Sequence, residues 1–272
     1  MSHLPIIHPT PALRDSIAAI ARRAGETILE VYRTADFGAT SKADDSPLTL
    51  ADLRSHEAIV ESLGALTPGV PILSEESSTA SFEERSTWPC YWLVDPLDGT
   101  KEFLARNGEF TVNIALIAGH EPVLGVVGVP ARDTIYTGLM GVGATRCLGA
   151  ADPVPIRVQV PAASPVRVVG SRSHRGDSLD QFLARLGPHE FVPTGSALKF
   201  CVVAEGAADV YPRLGLTSEW DTAAAQAVLT AAGGAVVTTT GEPLRYNAKA
   251  EILNPFFIAY GDVGRDWVGL LA

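Results

Sequence analysis

One apolar run in this chain ends abruptly at two carboxylates, a glycine and a hydroxyl: residues 91–100 read Tyr-Trp-Leu-Val-Asp-Pro-Leu-Asp-Gly-Thr. A run without polar alternation is typical of a strand that is covered on both faces. Ligands of open α/β sheets usually bind at the ends of such strands. The segment therefore predicts a buried strand over Trp92 to Asp95, with Asp95 and Asp98 at its end in position for chemistry.

Two amphipathic helices are predicted before this strand. Apolar residues recur at helical spacing between Pro11 and Thr34. A second helix is predicted from Thr49 to about Leu63, since Thr49 and Asp52 have the spacing of a capping box. A polar loop, residues 41–46, is expected between the two helices.

The rest of the chain predicts strands separated by Gly, Pro and Asp turns, with helices added in the second half. The first-half strands are expected at 71–73, 92–95, 110–118, 123–129 and 134–139. The second-half strands are expected at 166–170, 191–193, 208–211, 235–239 and 256–260, and the helices at 178–186, 196–205 and 221–232. Four prolines between residues 153 and 165 indicate a domain boundary there. We predict two α/β layers, one in each of the domains 1–150 and 151–272.

Charge and composition exclude several classes of protein. The formal charge of −10 argues against binding to a nucleic-acid polymer, and a phosphorylated small molecule would need metal ions to reverse the local sign. No window is apolar enough for a transmembrane segment, and the first residues lack the order of a signal peptide, so a cytoplasmic protein is expected. Three scattered cysteines, Cys90, Cys147 and Cys201, form no metal or disulfide pattern and are interpreted as small buried apolar residues.

Acidic residues stand in unusual positions, most of them following or opening a regular element. They are Asp52, Glu75, Glu76, Asp95, Asp98 and Asp221. Hard divalent cations take oxygen ligands, and no cluster of histidine and cysteine accompanies these acids. The ligand chemistry therefore favours Mg²⁺ over zinc.

Each of these acids also has a purely structural explanation. Asp52 fits the acid of a capping box, and Asp221 fits an ordinary first-turn residue. The Glu75-Glu76 pair fits a solvated turn, and the segment 95–100 fits a plain turn because Asp, Pro and Gly all favour one. The structural explanation weakens because it has to hold for all four segments at once.

A covalent phosphatase loop is the specific alternative for Asp98-Gly99-Thr100. Phosphatases that form an aspartyl-phosphate use an Asp-x-Asp-Gly-Thr loop after an apolar strand. Here the first acid would have to be residue 96, which is a proline. The loop cannot supply both acids, which leaves a metal-activated water as the nucleophile.

Taken together, these segments resemble the metal-dependent, lithium-sensitive phosphatase superfamily that includes the inositol monophosphatases and fructose-1,6-bisphosphatases. Its pattern is an Asp, then Glu-Glu, then Asp-Pro-(Ile/Leu)-Asp-(Gly/Ser)-Thr, then Trp-Asp-x-Ala-Ala, and the chain supplies all four parts in order. The resemblance implies an α+β fold, a layered α/β/α/β/α sandwich of the inositol monophosphatase and sugar phosphatase type. Lys101-Glu102 stands where inositol monophosphatases usually have Thr-Asn, which resembles the bacterial 3'(2'),5'-bisphosphate nucleotidase branch.

The resemblance implies two or three Mg²⁺ ions, with Asp95 bridging two of them. Glu75 and the backbone carbonyl of Leu97 would complete the first site. Asp98 and Asp221 would complete the second.

The same resemblance assigns catalytic and outer positions. Asp52 and Thr100 would orient and deprotonate the attacking water, and Glu75 would help to hold a water at a third, weaker metal position. Glu76 would be an acid just outside the ligands. Gly99 and Thr100 would start a helix whose N–H groups bind the phosphate that is cleaved.

The nucleotide would be bound mainly by the second half of the chain. The positions that resemble nucleotide contacts of the family are Lys101, Ser173, His174, Ser196, Lys199 and Arg213. Judged by exposure alone, Lys199 and His174 would be solvated surface residues. Ala197 departs from the family, where a serine is expected, and puts one side-chain hydrogen bond in doubt.

The implied activity is Mg²⁺-dependent removal of the 3'-phosphate from adenosine 3',5'-bisphosphate, or from its sulfated precursor, in sulfate assimilation. The implied location is cytoplasmic. Attachment to the inner face of the membrane is not supported, because the sequence predicts no basic amphipathic helix. A broad inositol or sugar monophosphatase is the alternative enzyme. A non-catalytic sensor of metal and nucleotide is the alternative of another class. The sequence does not give the oligomeric state.

Overall fold

A computed structural model of the protein describes residues 4–34, 37–38, 40–41, 47–77, 80–171 and 177–271. Its helices are α1 (Pro11–Tyr32), α2 (Leu50–Leu66), α3 (Phe82–Arg85), α4 (Thr100–Leu104), α5 (Asp177–Leu186), α6 (Leu198–Ala204) and α7 (Glu219–Ala231). The strands of the first half are β1 (Thr40–Ser41), β2 (Pro47–Leu48), β3 (Ile72–Ser74), β4 (Cys90–Asp98), β5 (Thr111–Ala118), β6 (Glu121–Val129), β7 (Thr134–Leu139) and β8 (Gly143–Leu148). Those that follow are β9 (Val154–Ile156), β10 (Val166–Gly170), β11 (His189–Pro193), β12 (Val210–Arg213), β13 (Ala235–Thr238) and β14 (Phe257–Tyr260).

The larger sheet has seven strands in the order β3-β4-β5-β6-β7-β8-β9. Strands β3 and β4 are parallel, so their carboxyl ends lie at the same edge, while the remaining neighbours are antiparallel. Strand β4 is buried at every position from Cys90 to Leu97, which its unbroken apolar run predicted. Its register against β5 shifts between Asp95 and Asp98, which marks the point where regular pairing gives way to the site.

The smaller sheet has five strands in the order β11-β10-β12-β14-β13. Its outer face packs against α5 through a cluster that includes Phe182 and Trp267. Its inner face packs against α6 through Phe200, which contacts the rings of Tyr211 and Phe257.

Helices form the other three layers. Helices α1 and α2 cover the outer face of the larger sheet, α6 and α7 lie between the two sheets, and α5 covers the smaller sheet. The backbone of α7 lies directly on strands β6 and β7. A Cβ atom at Gly138 would stand 2.5 Å from the carbonyl oxygen of Ala227, and one at Gly125 would be closer still to Ala224. The order of layers is the α/β/α/β/α sandwich that the sequence predicted.

Several boundaries differ from the predictions. Strand β4 continues to Asp98, because its backbone keeps pairing with β5 beyond the first acid. Ser41, expected in a loop, pairs with Pro47. Strand β8 was not predicted, and its alternating exposure shows why: it has no continuous apolar run. Cys147, on that strand, is half-buried rather than buried.

The proline-rich segment contains strand β9, which extends the larger sheet as its edge. One hydrophobic cluster joins residues of β4, β5 and β6 to residues of α6, α7 and β14. The division into domains at residue 150 stays a prediction.

Candidate active site

The parallel ends of β3 and β4 place two predicted ligands side by side. The backbone N–H of Glu75 donates to the carbonyl of Val94 at 3.1 Å, which continues the pairing of the two strands. Asp95 follows at once and is buried, and its Oδ1 accepts from the backbone N–H of Leu97 at 3.0 Å. This turn is held from the side by α2, where Ser55 Oγ donates to the carbonyl of Pro96 at 2.7 Å. The structure therefore brings together the Glu75 and Asp95 side chains that the sequence predicted as neighbours.

Asp98 is fixed by a loop from the second half of the chain. Its Oδ2 accepts from Ser196 Oγ and from the backbone N–H of Ala197, each at 2.5 Å. The hydroxyls of Ser196 and Thr111 also contact each other at 2.6 Å. Ala197, where a serine was expected, thus reaches Asp98 through its backbone, and Ser196 supplies the hydroxyl.

The loop that carries Ser196 is itself held by a buried acid that the sequence reasoning did not single out. Glu109 Oε2 accepts from the backbone N–H of Gly195 at 2.9 Å, and Oε1 accepts from Arg132 at 2.9 Å. A Cβ atom at Gly195 would stand 2.8 Å from Cγ of Glu102, so the close approach depends on glycine. Ser196 follows with φ +52°, a left-handed conformation that is uncommon for serine. No spacing in the sequence marks Glu109, because its partners lie far away along the chain.

Asp221 enters the site from the first turn of α7. Its Oδ2 accepts from the backbone N–H of Ser218 at 2.9 Å, which forms the capping box at the start of this helix. Burial raises the pKa of Asp221 to about 8, and the nearby charge of Asp98 acts in the same direction. The structural explanation and the proposed ligand role therefore apply to the same residue.

The acids repel one another across the site. Burial raises the pKa of Asp95 well above its ordinary value, and the charges of Glu75, Asp98 and Asp221 raise it further. Glu75 thus lies close enough to Asp95 for its charge to act directly on that carboxyl group. A divalent cation between the acids would offset the repulsion.

The donor set suits a hard cation, and one neighbouring side chain adds to this. Asn113 lies opposite Asp95 across the β4–β5 pair and is buried. Neither its amide nitrogen nor its oxygen has a hydrogen-bond partner among the described residues. A buried amide without a partner beside a carboxylate is costly unless a water or an ion completes it. Within the same ranges, no three acidic, histidine or cysteine side chains already close around a common point. The chemistry of the donors fits Mg²⁺, and a closed set of ligands is not preformed.

Gly99 and Thr100 form the turn between β4 and α4. Gly99 has φ +88°, and a Cβ atom there would lie 3.2 Å from Cβ of Ser196 and 3.3 Å from the carbonyl oxygen of Glu109. Helix α4 begins at Thr100, as the sequence predicted. The turn therefore depends on glycine for both its conformation and its close contacts.

Asp52 is buried at the start of α2, where its Oδ2 accepts from the backbone N–H of Thr49 at 2.8 Å and from Thr49 Oγ1 at 2.6 Å. The capping box that the spacing predicted is thus formed. Helix α2 also contacts the end of β3, where His56 Nδ1 lies 2.9 Å from Ser74 Oγ. The partnership of Asp52 with Thr100 stays a prediction.

A pocket of about 170 Å³ opens beside these acids. Lys199 lies in it and is buried rather than solvated, with Nζ donating to the carbonyl of Ser196 at 2.7 Å. Burial lowers the pKa of Lys199 to about 8, although the charge of Asp98 opposes that shift. Arg213, at the end of β12, donates from Nη2 to the carbonyl of Leu216 at 2.7 Å. Two cations therefore face two of the acids, Asp98 and Asp221, across one small pocket.

The remaining predicted contacts are less closely placed. Lys101 is exposed on α4, and Glu102 lines the pocket in its stead. Glu76 is half-buried directly after Glu75. Ser173 and His174 lie outside the described residues. Pocket residues that the sequence reasoning missed are Glu102, Ser171, Phe200, Tyr211, Thr217 and Thr222. The dipeptide Lys101-Glu102 was a usable signal for Glu102, whereas the others become neighbours only through the fold.

None of the helices in the described part of the chain combines the length and the apolar character needed to cross a membrane.

The sequence matches the inositol monophosphatase family over residues 12–260. It is 48% identical over 244 residues to the 3'(2'),5'-bisphosphate nucleotidase CysQ of Escherichia coli, a match that covers 89% of this chain and 97% of that protein.

Two solved structures have a similar fold. The crystal structure of CysQ from Bacteroides thetaiotaomicron has a TM-score of 0.80 and 43% identity, and covers 91% of this chain and 97% of the other. An inositol monophosphatase from Anabaena has a TM-score of 0.73 and 25% identity, and covers 96% and 95%.

Proposed function

The chain belongs to the inositol monophosphatase family, and from this premise we propose that it is a Mg²⁺-dependent 3'(2'),5'-bisphosphate nucleotidase. It would remove the 3'-phosphate from adenosine 3',5'-bisphosphate to give AMP and inorganic phosphate, and would act in the same way on the sulfated precursor. The observation that carries the proposal is the 48% identity to a nucleotidase over nearly the whole chain.

The metal would be held by the predicted set of oxygens. Glu75, Asp95 and the carbonyl of Leu97 would hold one Mg²⁺, and Asp95, Asp98 and Asp221 a second, with a third and weaker ion near Glu75. Bound in this way, the cations supply charge neutralisation for the phosphate and lower the pKa of the attacking water. The mutual repulsion of the buried acids around Asp95 supports this assignment, as does the Asn113 amide, which has no hydrogen-bond partner among the described residues.

The residues of the chain would then bind and orient the substrate. The backbone N–H groups of Gly99 and Thr100 would donate to the phosphate that is cleaved. Asp52 would take the proton of the attacking water through the hydroxyl of Thr100, while the oxygen of that water forms a bond to phosphorus. The bond from phosphorus to the 3'-oxygen would break, and the 3'-oxygen would take a proton from solvent water to become the hydroxyl of AMP.

The second phosphate would be bound by Lys199 and Arg213, with Ser173, His174, Ser196 and Lys101 contacting the nucleotide. Lys199 is buried in the pocket that Arg213 also lines, and a second phosphate there would give both cations an anionic partner. Two cations in one pocket therefore favour a bisphosphate over an inositol monophosphate.

The test compares phosphate release from adenosine 3',5'-bisphosphate, its sulfated analogue and inositol 1-phosphate, each with Mg²⁺ and with EDTA. We expect kcat/KM for the bisphosphate to exceed that for the inositol ester by at least about 100-fold, since one lost charge-assisted contact costs about 3 kcal/mol. Preference for the inositol ester would overturn the proposal in favour of a broad monophosphatase. Binding of the nucleotide without turnover of any ester would favour a sensor.

The proposed setting is sulfate assimilation in the cytoplasm, with inhibition by Li⁺. Addition of LiCl to the same assay, with KCl as the control for ionic strength, tests the last point.

A further inference from the structure

A buried arginine links the segment between β3 and β4 to a loop near the C-terminus. The side chain of Arg85 is 1% exposed, and its guanidinium donates to Oδ1 of Asn247, to the carbonyl of Lys249 at 3.0 Å and to the carbonyl of Ala250. Asn247 returns a bond, because its Nδ2 donates to the carbonyl of Arg85 at 2.7 Å. The two segments are thus joined by reciprocal hydrogen bonds across 162 positions of sequence.

The same loop continues to the first residue of α7. The backbone N–H of Asn247 lies 3.0 Å from Oε1 and 2.9 Å from Oε2 of Glu219, whose side chain is buried. Asn247 has φ +54°, so its backbone adopts a left-handed conformation at the point of contact. A non-glycine residue in this conformation persists when its surroundings hold it there.

Further hydrogen bonds connect the first turn of α7 to the same loop. The N–H of Glu219 donates to the carbonyl of Ile252 at 2.9 Å. Asn254 donates from Nδ2 to the carbonyl of Ser218 at 2.7 Å and to Thr222 Oγ1 at 3.0 Å. Asp221 lies within this hydrogen-bonded first turn, two residues after Glu219.

We propose that Glu219 is a positioning residue, which, through Asn247 and Arg85, fixes the first turn of α7 so that Asp221 presents its carboxylate to the cation. This role of Glu219 depends on the proposed metal role of Asp221. Glu219 touches neither substrate nor cation in this arrangement; it acts through the helix backbone. Groups that orient a metal ligand commonly contribute about 10- to 100-fold to metal affinity.

The test measures Mg²⁺ binding directly by calorimetry on the full chain, and hydrolysis in parallel. In Glu219→Gln we expect the Kd for Mg²⁺ to rise about 10-fold. Because this variant changes the carboxyl group itself, Asn247→Gly is the decisive one. It keeps the Glu219 carboxyl group and its contacts with the backbone N–H of residue 247, tolerates the left-handed backbone and removes the two side-chain bonds to Arg85. We expect it to weaken Mg²⁺ binding in the same direction.

The matched control is Asp209→Asn. Asp209 is likewise fully buried and accepts from an arginine, since Arg167 Nη2 lies 2.7 Å from its Oδ1, but it directly precedes β12 of the smaller sheet. Asp209→Asn should lower the midpoint of thermal unfolding without changing the Kd for Mg²⁺.

An unchanged Kd for Mg²⁺ in a folded Asn247→Gly protein would overturn the proposal, and so would an equal rise of that Kd in Asp209→Asn. It would also be overturned if the effect of Glu219→Gln on the Kd disappeared at high salt while Asn247→Gly had no effect on it. Should Glu219→Gln fail to fold, Asn247→Gly decides alone. Because the test measures metal binding, it remains valid even if the unmutated protein hydrolyses no bisphosphate. Absence of hydrolysis in the unmutated protein would count against the proposed function and not against the role of Glu219.

Discussion

Ser196 Oγ lies 2.5 Å from Oδ2 of Asp98, a contact that joins the two halves of the chain at the proposed metal site. The backbone of Ser196 is left-handed at φ +52°, and the preceding glycine is held by buried Glu109. A strained residue that binds a functional acid indicates that the loop is arranged around that acid.

We predict that Ser196→Ala raises the Mg²⁺ concentration for half-maximal activity by about 10-fold, because Asp98 loses the hydroxyl that orients it. Thr145→Ala is the control, since it removes a hydroxyl that contacts Thr137 at 2.8 Å on β7 and β8. Equal Mg²⁺ dependence in the two variants would contradict the role of Ser196.

Asp52 can be tested for a role beyond capping by comparison with its own partner. Thr49→Ala removes one half of the capping box and should lower the free energy of unfolding by about 1 kcal/mol with little change in kcat. Asp52→Asn should lower kcat by at least about 100-fold, the usual contribution of a general base. If both variants keep full turnover, Asp52 is a helix cap only.

Gly99→Ala is expected to reduce both stability and activity. The left-handed backbone alone costs a residue with a Cβ about 1–2 kcal/mol. Gly141 has a similar φ of +77°, and no atom of the described residues lies within 4 Å of an added Cβ, so Gly141→Ala measures that backbone cost alone. Urea unfolding and kcat should show a larger loss for Gly99→Ala, since its Cβ meets Ser196 and Glu109. Indistinguishable variants would show that the turn tolerates crowding.

The protonation of Lys199 should appear in the pH profile for the bisphosphate. Burial lowers the pKa of Lys199 to about 8, so the ammonium that would bind the second phosphate is lost as the pH rises through that value. We expect the ratio of kcat/KM for the bisphosphate to that for inositol 1-phosphate to fall above pH about 8. Lys199→Gln should give a ratio that is low at every pH. A ratio independent of pH in the unmutated protein would remove Lys199 from phosphate binding.

Asp209 provides a stability prediction far from the site. Burial alone would raise its pKa, but hydrogen bonds from Arg167 and from the backbone of Ala163 outweigh it and lower the pKa below the ordinary value of 3.8. The unfolded chain therefore binds this proton at higher pH than the folded protein, and the stabilisation is present above pH about 4 and is lost as the pH falls through the folded pKa. Asp209→Asn should lower the free energy of unfolding by about 3 kcal/mol at pH 7, with a smaller difference at pH 3. Chemical denaturation at both values measures this, and a constant difference would contradict it.

The features of this structure that could be predicted are those that depend on residues close together in the sequence. The apolar run of β4 predicted a buried strand, and the spacing of Thr49 and Asp52 predicted a capped helix, because each pattern depends on near neighbours. The family pattern predicted the layers and the grouping of acids. Strand β8 has a single buried residue, Ala144, and its sequence carries no such signal.

The interactions that support the site could not be predicted in this way. Glu109 reaches Gly195 across 86 positions, and Arg85 reaches Asn247 across 162. Neither residue belongs to a local pattern, and both are charged side chains that composition alone would place at the surface. Lys199 was placed at the surface by the same argument and is buried.

The glycines under α7 have a consequence for how this scaffold can be altered. Gly125 and Gly138 let that helix rest on the backbone of the first-half sheet, although it is encoded in the second half. Any side chain at either position would lift the helix, and with it Asp221, away from the acids on β4. A chimaera of two related proteins joined at residue 150 would take its sheet from one parent and α7 from the other. Such a chimaera should fold only when the first parent supplies both glycines and the second supplies small residues at the facing positions of α7.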